Sequence, residues 1–254
     1  MERQHTDRVP DETERRPPPP NAWRRGEEPE FTRLATFTDA VYAIALTLLV
    51  LGMHIDHLVP EDDPGTMGRA LLQLLPEFIA FAIAFMLLGR YWIAHHDFYA
   101  RLRAVDRTLM GLSLVYLASV AFLPFPTALV GEFEANPVSV ILFATALSVV
   151  SGMETVLFAH AHRAGLLTVE LTAEVYRWGL LASLQPVAMF IITMPFAFIS
   201  PTGVLVSWAF LGPLMGRWIV RRAPDGTPED DLPMVVRRRH HPELNDSTGH
   251  SGEE

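Results

Sequence analysis

An apolar segment at residues 31–53, FTRLATFTDAVYAIALTLLVLGM, constrains the fold of this chain more than any other feature. About 20 apolar residues in a helix, at about 1.5 Å per residue, cross a hydrocarbon core of roughly 30 Å. The segment therefore predicts a membrane-spanning helix. Asp39 lies near its start, and a carboxylate at mid-bilayer costs about 3 kcal/mol, so this residue needs either a partner or a function.

The composition also indicates a membrane protein. Half of the 254 residues are apolar, and the charged residues are concentrated at the two ends and in a few short loops. The net charge of −9 comes largely from the polar ends, so it indicates no particular partner. The absence of cysteine excludes disulfides, thiolate metal sites and cysteine nucleophiles.

Apolar runs bounded by charges, glycine and proline predict an all-α, polytopic membrane protein with six spans. The predicted spans are roughly 33–53, 71–94, 108–130, 137–160, 178–199 and 202–220. We predict one six-helix domain over residues 31–222. The polar segments 1–30 and 223–254 are expected to be a disordered arm and a disordered tail.

Loop charges predict the orientation of the spans. The connections 54–68, 131–136 and 200–201 contain no arginine, whereas the other connections are rich in it. The positive-inside rule therefore predicts that both termini are cytoplasmic. This orientation groups several polar residues in one cytoplasmic layer, namely Asp39, Arg90, His95, His96 and Glu154.

These polar residues have alternative interpretations. Arg90 can reach the interface with its long side chain and need no partner, but the short carboxylate of Asp39 cannot reach far. The histidines 95, 96, 160 and 162 suggest a metal site, yet adjacent residues point about 100° apart on a helix, so no metal site is predicted. The sequence contains no nucleophile with a base and no phosphate loop, which argues against an enzyme.

Motifs in the first three spans carry a family resemblance. The first span begins with R-x-x-x-F-T-D, the second ends in W-x-x-H, and the third follows an aspartate and contains FLPFP. In this order they resemble the transmembrane protein 175 family of potassium channels over about residues 31–220. Thr38 replaces the usual serine of the first motif, and Ser113 stands where an asparagine is expected.

The resemblance implies a potassium-permeable channel in the plasma membrane, and a ring of four Thr47 hydroxyls, with fewer ligands than stacked carbonyl rings, predicts only modest selectivity. It implies four identical subunits, first helices around a central pore, no cofactor beyond the permeant potassium ion, and no nucleic-acid partner. It also implies a network between helices that involves the motif residues Arg33, Phe37, Thr38, Asp39, Trp92, His95, Asp106 and Ser113.

The helical wheel of the first span identifies a candidate pore face. At about 100° per residue, four residues fall within an arc of about 100°: Ile44, Thr47, Leu48 and Leu51. Asp39 points about 140° away from Ile44. The large aliphatic residues are candidates for a hydrophobic constriction that gates by dewetting. Packing against lipid or core is the alternative for this face, and a bond to the carbonyl of Ala43 is the alternative for Thr47.

A proton channel or a proton-coupled transporter is the competing function class. In that interpretation Asp39, Glu154 and His95 relay protons. Transporters often show broken helices and paired repeats, and neither is evident between the two halves of this chain.

Overall fold

α-Helices form most of the computed structural model, which describes residues 22–25, 29–53, 68, 71–72, 74–133 and 136–224. The helices are α1 (Pro29–Leu51), α2 (Leu75–Ala100), α3 (Arg107–Phe122), α4 (Pro124–Glu132), α5 (Pro137–Arg163), α6 (Ala173–Thr193) and α7 (Pro201–Val220). Met194–Phe198 forms a 3₁₀ turn after α6, and two short strands are β1 (Trp23–Arg24) and β2 (Ala104–Val105). The predicted all-α class is confirmed.

Five helical segments of the described chain are long and apolar enough to cross a membrane. They are Pro29–Leu51, Glu77–Ala100, Arg107–Glu132, Pro137–Arg163 and Ala173–Phe198. The sixth predicted span corresponds to α7, which is not in this set. α7 is nevertheless a continuous helix of 20 residues.

Side-chain caps and prolines explain where several helices begin. Asp106 accepts a hydrogen bond from the amide of Leu109 at the start of α3, and Thr172 accepts one from the amide of Val175 at the start of α6. Proline occupies the first turn of α4, α5 and α7, where its missing N–H costs nothing. Pro124 also separates α3 from α4, which together form the third predicted span.

The helices pack in two groups that share α5. α1 packs against α2, α3 and α4, and α5 packs against α3, α4 and α6, while α7 lies on α6. α1 buries one face, which includes Tyr42, Ala45 and Leu49. In the second group, Trp208 of α7 packs edge-on against Phe190 of α6, with 5.0 Å between the ring centroids.

Short strands and loops close one end of the bundle, which we call the strand end. β1 pairs antiparallel with β2, and Leu102 forms a bridge with Leu167 of the α5–α6 loop. The Arg103 guanidinium donates two hydrogen bonds, of 2.7 and 3.0 Å, to the carbonyl of Gly165. Gly165 has a φ of 64°, a conformation that glycine adopts without steric cost.

The β1–β2 pair changes the description of the N-terminal arm. The sequence predicts disorder over residues 1–30, but Trp23 and Arg24 form a strand because β2 offers them backbone partners, and α1 already begins at Pro29. Residues 1–21, 26–28 and 225–254 lie outside the described residues, so the rest of both predicted disordered segments stays a prediction.

Candidate ion-conducting face and polar network

The predicted pore face of α1 is uncovered in the single chain. Ile44, Leu48 and Leu51 are 59%, 40% and 74% exposed, and Thr47 is also exposed. The opposite face of α1 is buried against the other helices. A membrane helix with one packed face and one long uncovered apolar face must meet lipid, another subunit or a pore on the uncovered side.

The Thr47 hydroxyl donates a hydrogen bond of 2.8 Å to the carbonyl of Ile44. The alternative for Thr47 was a bond to the carbonyl of Ala43, and in the structure the acceptor is one residue later. A hydroxyl that donates its hydrogen keeps two lone pairs on its oxygen. Thr47 therefore still presents an acceptor oxygen on the exposed face.

Residues of the first motif divide between two faces of α1. Thr38 is buried and donates to the carbonyl of Leu34 at 2.9 Å. Arg33, Phe37 and Asp39 are exposed in the single chain. Asp39 has a partner on α2, since the indole Nε1 of Trp92 donates to Asp39 Oδ1 at 2.9 Å. This bond ties α1 to α2 near the strand end.

His95 is buried among aromatic rings. His95 is only 2% exposed, and its ring stacks on the ring of Tyr116 with 4.4 Å between the centroids. The resemblance implies a hydrogen bond between helices for His95, but its Nε2 has no hydrogen-bond partner among the described residues. Ser113 does bond between helices, as it accepts from the hydroxyl of Tyr99 at 2.9 Å.

A chain of hydroxyl groups links α1 to a carboxyl group on α5. The Tyr42 hydroxyl on α1 bonds to the Tyr116 hydroxyl on α3, which donates to Glu154 Oε1 at 2.9 Å. Glu154 was among the polar residues predicted from the sequence, whereas neither tyrosine was. A signal was available, because a tyrosine in the middle of an apolar span needs a partner for its hydroxyl.

Asp106 joins α3 to α5 at the strand end. His160 Nε2 lies 2.9 and 3.0 Å from the two carboxylate oxygens of Asp106, and the amide of Leu109 donates to the same carboxylate at 2.6 Å. The same carboxylate thus caps α3 and pairs with His160. The described residues contain no group of three or more His, Asp or Glu side chains that could hold a metal ion.

We expect Asp106→Ala to lower the free energy of unfolding by about 1–3 kcal/mol, because it removes both the α3 cap and the partner of His160. Denaturant unfolding of the detergent-solubilised protein measures this change. Glu174→Ala is the matched control, since it removes an exposed acidic residue in the first turn of α6. Equal unfolding free energies for the two variants would contradict this role of Asp106.

The sequence of the first three spans matches a family model. The model is that of the endosomal/lysosomal potassium channel TMEM175, and it matches residues 33–124. A potassium channel of Streptomyces collinus is 40% identical over 105 residues, which are 41% of this chain and 49% of that protein. The human endosomal/lysosomal proton channel TMEM175 is 33% identical over 110 residues, which are 41% of this chain and 22% of that protein.

A potassium channel of Chamaesiphon minutus is 33% identical over 111 residues, which are 44% of this chain and 54% of that protein. The chain thus matches about half the length of its bacterial relatives. A crystal structure of a lysosomal potassium-selective channel TMEM175 homolog from the same organism has a TM-score of 0.55 and 26% identity, covering 74% of this chain and 98% of that one. These names describe ion channels and no enzyme. The resemblance is confirmed over the first three spans, where residues 33–124 match the TMEM175 family model.

Proposed function

We propose that this chain is a subunit of a potassium-permeable cation channel. In this proposal, α1 helices from four identical copies surround a central pore, and the bilayer surrounds the assembly. The observation that carries the proposal is the uncovered face of α1, with Ile44, Leu48 and Leu51 exposed beside Thr47. The bacterial relatives named as potassium channels support the choice of ion.

The aliphatic side chains form the gate in this proposal. A narrow ring of isoleucine and leucine side chains excludes water and therefore excludes ions, whereas a slightly wider ring admits both. Leu51, Leu48 and Ile44 lie within about two helical turns of each other, so four copies form stacked apolar rings. The gate needs no charged residue on this face.

Thr47 provides the only hydroxyl among these pore-face residues. A ring of four hydroxyl oxygens replaces part of the water shell of a cation, but it offers fewer ligands than stacked carbonyl rings. We therefore propose a modest selectivity for potassium over sodium. The bond from Thr47 to the Ile44 carbonyl supports this role, because it uses the hydrogen and leaves the oxygen lone pairs available.

The strand end faces the cytoplasm of the cell in this proposal. α2 ends and α3 begins at the strand end, as do the end of α5 and the start of α6. Arginines flank these termini, and the positive-inside rule assigns such an end to the cytoplasm of a plasma-membrane protein. The arginines concerned are Arg101, Arg103, Arg107, Arg163 and Arg177.

A proton channel or proton-coupled transporter is the second candidate function. The mouse and human relatives, which are named as proton channels, favour it. The residues available for such a path in this chain are Asp39, His95 and Glu154. This candidate uses polar residues away from the exposed α1 face, so variants on that face distinguish it from the first.

Currents of the purified full chain in a planar bilayer test the proposed function. With a tenfold potassium gradient and equal pH, we expect the current to reverse near the potassium equilibrium potential, about 59 mV from zero. Replacing potassium by sodium should move this reversal potential only partly. A current that follows the pH gradient and ignores potassium would contradict the first candidate and support the second.

A further inference from the structure

A cavity of about 280 Å³ lies between α2 and the helices α5, α6 and α7. Its lining includes Arg101 at the strand end and Pro186 in the middle of α6. The cavity therefore extends from the strand end deep into the bundle. It lies on the side of α2 and α5 that carries α6 and α7, away from the exposed face of α1.

Polar groups make this cavity suitable for water. Arg90, His95 and Glu154 all line it, and His95 Nε2 is buried without a hydrogen-bond partner among the described residues. Pro186 has no N–H, so it cannot donate to the carbonyl of Ala182, another lining residue. Charged side chains at such depth in a membrane protein face water-filled cavities or partners. The cavity thus joins Glu154 to Arg101 at the strand end.

Glu154 also contacts the network that reaches α1. Its Oε1 accepts from the Tyr116 hydroxyl at 2.9 Å, and Tyr116 bonds to Tyr42 on the buried face of α1. An ionised carboxylate only accepts, so Tyr116 must donate to Glu154 and can only accept from Tyr42. A protonated carboxyl can itself donate, so it no longer fixes the direction of these hydrogen bonds. The charge of Glu154 therefore changes how α1 is held by α3.

We propose that Glu154 is a proton-binding site away from the conducting face. Protons reach it from the strand end through the cavity. Its protonation alters the potassium conduction of α1 by way of the hydrogen bonds to Tyr116 and Tyr42. This inference rests on the proposed channel function. In this inference, the proton is a regulatory ligand and potassium is the permeant ion. The site therefore differs from the proton path of the second candidate function.

The charged and titratable neighbours of Glu154 come from three helices. α2 provides Arg90, Tyr91 and His95, α3 provides Tyr116, and α1 provides Tyr42 through Tyr116. The residues that α6 and α7 contribute to the cavity, in the described part of the chain, are uncharged. The Tyr91 hydroxyl bonds to the Ser151 hydroxyl at 2.5 Å. It therefore lies outside the hydrogen-bonded series that links Tyr42, Tyr116 and Glu154.

Potassium currents in inside-out membrane patches test this inference. The pH on the strand-end side is varied from about 5 to about 8.5, a range that covers ordinary and shifted carboxyl groups. We expect the wild-type current to change about five-fold, as one buried hydrogen bond can produce. Glu154→Gln and Tyr116→Phe should both conduct potassium with a current that no longer depends on this pH. Tyr91→Phe is the matched control and should keep the wild-type response.

A pH response that survives in Glu154→Gln would overturn the site, and one that survives in Tyr116→Phe would overturn the route to α1. Infrared difference spectra between the two pH values test proton binding independently of conduction. We expect a carboxyl band in the wild type that Glu154→Gln lacks, and its persistence in that variant would also overturn the site. A wild type without potassium current at any pH would instead refute the proposed channel function.

Discussion

Ile44→Asn is expected to raise the single-channel potassium conductance by about tenfold, because removing ~1.4 kcal/mol from a barrier changes a rate by that factor. The variant puts four amide groups where the proposed assembly has a ring of aliphatic side chains. These amides hold water in the constriction, so an ion no longer has to cross a dry segment. The ratio of potassium to sodium permeability should fall at the same time, since a wetter constriction strips less water from each ion.

Val50→Asn is the matched control for this experiment. Val50 lies on the same helix and is 45% exposed, close to the exposure of Leu48, but it points about 120° away from Ile44. We expect this variant to conduct like the wild type, with the same reversal potentials. Leu48→Asn should behave like Ile44→Asn. Unchanged single-channel currents in both pore-face variants would show that these residues do not form the constriction.

Asp39→Ala is expected to impair assembly and stability more than permeation. It leaves the Trp92 indole N–H without its acceptor at 2.9 Å, and hydrogen bonds to charged groups contribute about 1.5–3 kcal/mol. The fraction of protein that elutes as the oligomer, together with the melting temperature in detergent, measures this effect. Channels that do assemble should keep the wild-type reversal potential.

Two further variants separate the hydrogen bond from other effects of Asp39. Asp39→Asn keeps an acceptor oxygen and should retain most of the assembly, whereas Trp92→Phe removes the donor and should lose about as much as Asp39→Ala. In a double-mutant cycle, adding Trp92→Phe to Asp39→Ala should cost little more. A fully assembled and thermally normal Asp39→Ala channel would contradict the role assigned to this carboxylate.

The sequence predicted the order of the apolar spans because membrane thickness limits the length of an apolar run. The predicted helix ends were less accurate than the predicted order. α2 continues to Ala100, although the predicted span ends at residue 94, and α6 begins at Ala173 rather than at 178. At both places the helix extends beyond its apolar part into polar residues, where hydropathy no longer reports helical structure.

The candidate site was predicted in part. Hydropathy and the helical wheel located the α1 face, and the first motif located Asp39 near the strand end. The link from Tyr42 to Tyr116 and Glu154 could not be predicted, since it joins residues of three helices whose relative rotation depends on packing. The same packing buries the His95 Nε2 without a partner in the described chain, which no local pattern indicates.

Cysteine accessibility tests the central claim, that the face of α1 with Ile44, Thr47, Leu48 and Leu51 lines the ion pathway. The chain has no native cysteine, so single substitutions can be labelled without further changes. A charged, membrane-impermeant thiol reagent should reduce the potassium current through open Leu51→Cys and Thr47→Cys channels, and should leave Val50→Cys channels unaffected. An undiminished current in both pore-face variants, with labelling of their cysteines verified by mass spectrometry, would contradict the account.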